Sequence, residues 1–262
     1  MVETRSWARQ AAIHVLIVAG SALITLGQES TGSAVSTEGI VQNLLAARAR
    51  QTRQLQAFDA LRTYRLDYRG FGGERHAEMQ VVTAYVAPNK REYRVISQTG
   101  SKFLLDRVLP KLLDSEKEYQ QEETDSELSP RNYTFTFVGT ERAGENELYI
   151  LEITPKRKGK YLCQGKIWVD SRDFAIVRLE GEPSKSPSFW IGRSRMTYEY
   201  RKIGDFWLPV HKDSHTDVRL GGKAVLAIDY SDYRVTPARR TLEAAGRTFA
   251  MPQATSAGQN QP

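Results

Sequence analysis

The sequence predicts an α+β domain, mainly β: a curved antiparallel sheet of about ten strands, forming an unclosed β-barrel covered by two or three helices. Three observations carry this prediction. Apolar residues alternate with polar ones through most of residues 64–235. Turn residues separate the alternating runs at short intervals, which suits antiparallel neighbours and leaves no room for parallel crossovers. Only two stretches, near 38–55 and 100–119, space their apolar residues as a helix does.

The elements follow in order. Ser36 or Thr37 can cap a helix from Glu38, in which Ile40, Leu44 and Ala47 form a thin apolar stripe that Leu55 extends. From Tyr64 the period is two. Tyr64, Leu66 and Tyr68 alternate with charged residues, Gly70 to Gly73 turns the chain, and Ala77 to Tyr85 answers. Pro88-Asn89 turns it again before Tyr93 and Val95, which makes three antiparallel strands. Phe103, Leu104, Val108, Leu112 and Leu113 then return to helical spacing, with Pro110 placed to kink or divide the helix. Gln120 to Pro130 reads as an acidic loop. Further runs follow at Tyr133–Gly139, Glu147–Thr154, Tyr161–Asp170, Phe174–Gly181, Phe189–Arg201, Trp207–Leu220 and Lys223–Val235. Gly221-Gly222 is a hairpin signal.

The ends read differently. Residues 1–27 have the parts of a secretory signal peptide: Arg5 and Arg9, then the apolar run Ala11 to Leu26, then small residues near a cut before Gln28. The run is shorter than the roughly 20 residues that span a bilayer. Residues 28–37 form a small, polar linker, residues 38–235 the folded domain, and residues 236–262 a disordered tail. No cysteine follows the apolar run to take a lipid, and the one cysteine, Cys163, allows no internal disulfide. The expected location is the periplasm, and the expected state a monomer.

Net charge is +6, falling to about +5 once residues 1–27 are gone, and the basic residues are scattered. No basic stripe with stacking aromatics is present, which argues against nucleic acid. His211 and His215 would share a face on a helix, but on a strand they lie ~13 Å apart, too far for one zinc ion. They read as a solvated strand face. His76 reads as a surface residue and Cys163 as a small packed side chain. No nucleophile elbow, P-loop, dinucleotide-binding or zinc-protease motif occurs. We therefore expect no catalytic residue, no metal and no cofactor. The basic run Lys156, Arg157, Lys158 and Lys160, at a hairpin tip, is a candidate contact for an anionic headgroup or an acidic partner.

Four stretches resemble a known family. Leu148–Lys156 (LYILEITPK), Lys166–Asp170 (KIWVD), Phe174–Arg178 (FAIVR) and Gly204–Pro209 (GDFWLP) look like motifs of divergent members of the LolA-type outer-membrane lipoprotein-sorting superfamily. The order helix, strands, helix, strands is also similar. The resemblance covers roughly 38–235 and implies a half-barrel with a helical lid over an apolar cavity. It implies a periplasmic carrier of lipid or lipoprotein acyl chains, or alternatively an envelope-stress or lipid-sensing module that contacts another inner- or outer-membrane protein. Candidates for the cavity are Leu66, Tyr68, Val81, Tyr85, Val95, Phe103, Leu104, Phe135, Phe137, Leu151, Ile153, Trp168, Met196, Tyr198 and Trp207.

Overall fold

Helix α1 (Thr37–Gln54) begins where its cap predicts, with the Ser36 hydroxyl accepting from the Gly39 N–H at 3.0 Å. Glu38 in the first turn and Arg53 in the last suit the helix dipole. The helix buries Ile40, Val41, Leu44 and Ala47. The structure, a computed structural model, describes residues 36–88, 90–121, 126–159, 161–186, 191–219 and 221–238. The expected signal peptide, nearly all of the linker and nearly all of the tail lie outside these residues.

Leu55 does not extend the helix. It opens strand β1 (Leu55–Gly70), which starts nine residues before the alternating pattern at Tyr64. Its first residues pair on both sides, Phe58 with Tyr85 and Val235. A bulge between Asp59 and Leu61 breaks the ladder with the last strand, and that irregularity lies where the sequence hides the strand. Strands β2 (Gly73–Val86) and β3 (Lys90–Gly100) complete a meander. Two helices follow, α2 (Lys102–Arg107) and α3 (Leu109–Gln121), divided at Val108. Pro110 is the second residue of α3, where a missing N–H costs nothing.

Seven strands come next: β4 (Tyr133–Ala143), β5 (Asn146–Pro155), β6 (Cys163–Asp170), β7 (Ile176–Pro183), β8 (Ile191–Ile203), β9 (Phe206–Val218) and β10 (Gly222–Pro237). All ten strands join one antiparallel sheet in the order β3-β2-β1-β10-β9-β8-β7-β6-β5-β4. The sheet is unclosed, with β3 and β4 as its two edges. Most neighbours are also neighbours in sequence; the pairing of β1 with β10 brings the two ends of the domain together.

One face of the sheet packs against the helices. Ile40, Val41 and Leu44 of α1 cover Leu151, Ile153, Ile167, Val169 and Leu179, on β5 to β7. Leu104 of α2 and Leu109 and Leu113 of α3 cover Tyr64, Leu66, Ala77, Met79, Val81 and Ile228, on β1, β2 and β10. A third, smaller cluster gathers Leu55, Tyr85, Phe206 and Leu208. The core is thus divided, with the middle strands β8 and β9 lying between its two larger parts.

Two facing glycines let neighbouring strands approach closely. Gly165 on β6 opposes Gly181 on β7. Gly165 has φ 157°, and a Cβ there would overlap the Glu180 carbonyl, while one on Gly181 would press on the Gln164 carbonyl. The two backbones approach as closely as they do because neither position carries a side chain. Gly165→Ala is expected to lower stability by about 1–3 kcal/mol, the usual cost of overpacking. Urea unfolding with an unchanged slope would measure it, and a wild-type midpoint would refute the steric account.

Candidate functional site

Register places two unbroken rows of side chains across the helix-covered face. One runs Gln98, Met79, Tyr64, Ile228, Lys212, Tyr198, Leu179, Ile167, Leu151, Phe137, one residue from each strand. The next runs Gly100, Ala77, Leu66, Leu226, Ser214, Met196, Gly181, Gly165, Ile153, Phe135. The first row is apolar or aromatic except for Gln98 and one charge, Lys212. The second has a low floor at its centre, where Ser214, Gly181 and Gly165, with Met196 among them, lie between Leu226 of β10 and Ile153 of β5. Ser214 and Met196, on β9 and β8, fall between the two larger core clusters, and the glycines lie beside the cluster under α1.

Charge enters beside the gap. Arg62 on β1 is 4% exposed and faces the same side as Tyr64. Its guanidinium donates to Glu116 Oε1 of α3 at 2.7 Å and to the Tyr230 hydroxyl at 3.1 Å. The Tyr64 hydroxyl also donates to Glu116, at 3.4 Å. The rings of Tyr230, Tyr64 and Tyr93 stand 4.9, 5.0 and 5.6 Å from the guanidinium carbon. Burial works against the Arg62 charge, but Tyr230, the Glu116 carboxylate and Tyr64 outweigh it and hold the pKa above the ordinary arginine value. Burial, reinforced by the Glu116 carboxylate, raises the pKa of Tyr64. Lys212 lies next along the sheet, with its ammonium 5.1 Å from the Tyr198 ring and 5.6 Å from the Tyr230 ring. Burial opposes its charge too, and the potential of Tyr230 and Glu116 more than offsets that.

The cavity candidates divide by position. Leu66, Val81 and Leu104 are buried in the cluster under α2 and α3, and Leu151 and Ile153 in the cluster under α1. Tyr85 is buried in the third cluster. Phe135 and Tyr198 pack half-buried against the cluster under α1. Met196 lies on the low floor, its sulfur 3.6 Å from the Tyr198 hydroxyl. Tyr68 closes the β10 end, donating to the Gly221 carbonyl at 3.0 Å.

Five candidates are placed otherwise. Phe103 is 54% exposed under the Arg75 guanidinium, and Val95 on the β3 edge and Phe137 on the β4 edge are exposed. Trp168 points away from the helices, because Ile167 and Val169 beside it fill the core and strand alternation sends it to the other face. There it stacks 3.8 Å beneath Arg178 and donates to Glu141 at 2.8 Å. Trp207 is pinned to α1 by the Gln51 side-chain amide, which donates to its carbonyl at 3.0 Å and accepts from its N–H at 2.9 Å, and its indole donates to Asp173 at 2.8 Å. Hydrogen bonds from Lys202 and Trp207 hold the Asp173 carboxyl below its usual range.

The basic tip is partly occupied with folding. Lys156 donates to the Pro130 carbonyl at 2.7 Å and Arg157 to the Asn132 side chain at 2.6 Å, which fastens the approach to β4. Lys158 is exposed, and Lys160 lies outside the described residues. On the far face of β9, His211 meets Asp229 at 2.7 Å, and Arg65 also pairs with Asp229. His215 stands 3.8 Å from Asp213. Among the described residues no group of His, Cys, Asp and Glu gathers to hold a metal ion. An open cleft of about 630 Å³ lies where β1 begins and β10 ends, lined by Thr52, Leu55, Ala87 and Thr236 among others; none of the cavity candidates lines it. Cys163 is packed beside Tyr133, and burial pushes its thiol up to about 11 against the lowering effect of that hydroxyl. No helix of the described residues is long and apolar enough to cross a membrane.

The sequence pattern alone does not reveal the Arg62–Glu116–Tyr230 group. Arg62 is legible only as a charge at an inward position of an alternating strand, and its partners lie 54 and 168 residues away.

Comparison with known proteins gives the following. Residues 117–231 match a family described as "Family of unknown function (DUF5686)". No curated protein matches the chain. Among solved structures, a LolA superfamily protein from Nitrosomonas europaea is 14% identical, with 79% of this chain and 96% of that chain covered at a TM-score of 0.38. An outer membrane lipoprotein-sorting protein domain from Vibrio parahaemolyticus is 12% identical, with 80% and 96% covered at 0.37. A DUF1329 family protein from Desulfovibrio piger is 14% identical, with 76% and 92% covered at 0.38.

Two predictions follow from the geometry on this face. Glu116→Ala leaves Arg62 buried without its counter-charge and is expected to cost about 3 kcal/mol in chemical unfolding; adding Arg62→Met should recover part of that loss. Equal or additive losses would mean that the pair is not coupled. At pH 8 Cys163 is expected to react with iodoacetamide about a hundredfold more slowly than free cysteine, since little of it is thiolate. A rate matching that of the free amino acid would show an exposed thiol.

Proposed function

We propose that the domain is a periplasmic carrier, without catalysis, that takes up the acyl chain of a lipid or lipoprotein on the helix-covered face. The observation that supports this reading is the low floor of Ser214, Met196, Gly181 and Gly165, each half-buried beside the apolar clusters and flanked by large apolar side chains. An extended chain can be buried there mainly by apolar contact, which is how concave ligand sites hold their occupants. The family resemblance of residues 148–209 points the same way, as does the export segment expected at residues 1–27.

A second reading is favoured by one observation. Strand β4 is an unpaired edge whose residues 133–140 carry no charge, with Phe137 and Val138 exposed. An envelope protein could add an extended segment there, which makes the domain a binding or sensing module.

A fluorescent acyl probe separates the two. The purified protein should take it up, and lipid should be found by mass spectrometry of gently purified material. Ser214→Trp, which raises the floor, should weaken uptake about tenfold or more while circular dichroism stays unchanged. No uptake and no co-purified lipid would overturn the carrier reading.

A further inference from the structure

Two cations, Arg62 and Lys212, stand beside the seam on the helix-covered face, and one carboxylate faces them. Glu116 is the one carboxylate that pairs with either among the described residues, and it is committed to Arg62. Lys212 forms no ion pair with any described carboxylate; it has two aromatic faces instead. The Arg62 Nε is buried and donates to nothing. A buried donor left unmade and a cation without its counter-ion are each costly, and an incoming oxyanion would relieve both costs.

The two cations are linked. Tyr230 accepts from Arg62 and offers its ring to Lys212, so it spans the space between them. Lys212 and Ser214 are alternate residues of β9 on one face, so the ammonium stands at the side of the low floor. Tyr198, which pairs with Lys212 across β8 and β9, packs against the cluster under α1. Tyr230 packs against the cluster under α2 and α3. The surplus charge therefore sits on the seam between the two apolar regions.

We propose that Lys212, with Arg62 beside it, receives the singly charged oxyanion head of an amphiphile, a carboxylate or a phosphodiester, while its chain lies along the floor of Ser214 and Met196. This rests on the acyl-binding reading and adds the chemical class of the head. One negative charge balances the site, and a neutral head would leave it unbalanced. Lysine suits the task as a point charge on a flexible stem, able to follow a head whose position varies with the length of its chain.

The test compares a fluorescent fatty acid with its methyl ester. The wild-type protein should prefer the carboxylate by about tenfold or more, a margin typical of one charge-assisted contact. Lys212→Met should bring the two probes within about threefold of each other and leave ester binding nearly as it was. Lys212→Arg should keep the preference, which guards against a misfolded Met variant. Acetate and inorganic phosphate, which have the charge without the chain, should compete weakly. Equal binding of both probes by the wild type, or an undiminished preference in Lys212→Met, overturns the proposal while leaving the carrier reading intact. Displacement by acetate or phosphate at concentrations like those of the fatty acid overturns the assignment to an amphiphile. If neither probe binds, the carrier reading itself falls.

Discussion

The pairing of β1 with β10 is the contact on which the rest of the molecule depends. Every other strand pair joins neighbours in sequence, so each can form as a hairpin or through one short connection. The β1–β10 ladder joins residues 55–70 to residues 222–237 and turns two smaller sheets into one. Without it the rows across the helix-covered face stop at β1 and at β10. It brings Arg62 to Tyr230 and Tyr64 to Ile228, and so brings the charged group to the seam. Contacts between distant parts of a chain must be reached against the entropy of closing a long loop. The register must therefore be well specified. Leu66 against Leu226 and Tyr64 against Ile228, with Thr63, Arg65 and Asp67 on the other side of β1, fix it, because a slip of one residue would turn every one of these side chains over.

The second constraint is coverage. A sheet of ten strands offers more apolar surface on one face than three short helices can bury. Helix α1 takes β5 to β7, and α2 with α3 takes β1, β2 and β10. What lies between, on β8 and β9, is made tolerable by mildly polar side chains: Ser214 and the Ser194–Thr216 hydrogen bond at 2.8 Å. The seam is thus shallow, partly polar and positively charged, and it differs in kind from the sealed clusters on either side. Glu116 connects α3 to the sheet at its border through Arg62, so the helix and the charge at the seam are tied through a single ion pair.

Much of this was legible in the sequence, and the reasons are physical. Strand number and order follow from alternation and from turn residues, both local. The division of the second helix follows from Pro110, whose ring forbids an interior helical position. The start of β1 was not legible, because the bulge at Asp59 disturbs the alternation where the strand first forms. The face of Trp168 could be read only relative to its neighbours. Alternation puts it opposite Ile167 and Val169, but which of the two faces is covered is set by helices packed from elsewhere in the chain. Aromatic character alone therefore misplaces it. Lys212 reads as an ordinary charge in a histidine-bearing strand until register sets it between Tyr198 and Ile228. Sequence carries the period of an element well and carries the partner across the sheet poorly.

The two free edges of the sheet are each charged over part of their length. Strand β3 carries Lys90, Arg91, Glu92 and Arg94 in its first half and no charge from Val95 to Gly100, where Val95 and Ile96 are exposed. Strand β4 is uncharged from Tyr133 to Thr140 and carries Glu141 and Arg142 at its end. Two copies that met through unlike edges, β3 to β4, would leave a fresh edge at each end and could add copies without limit, whereas two that met through one edge alone would close about a twofold axis. The charges at one end of each edge shorten the stretch on which either kind of pairing could form.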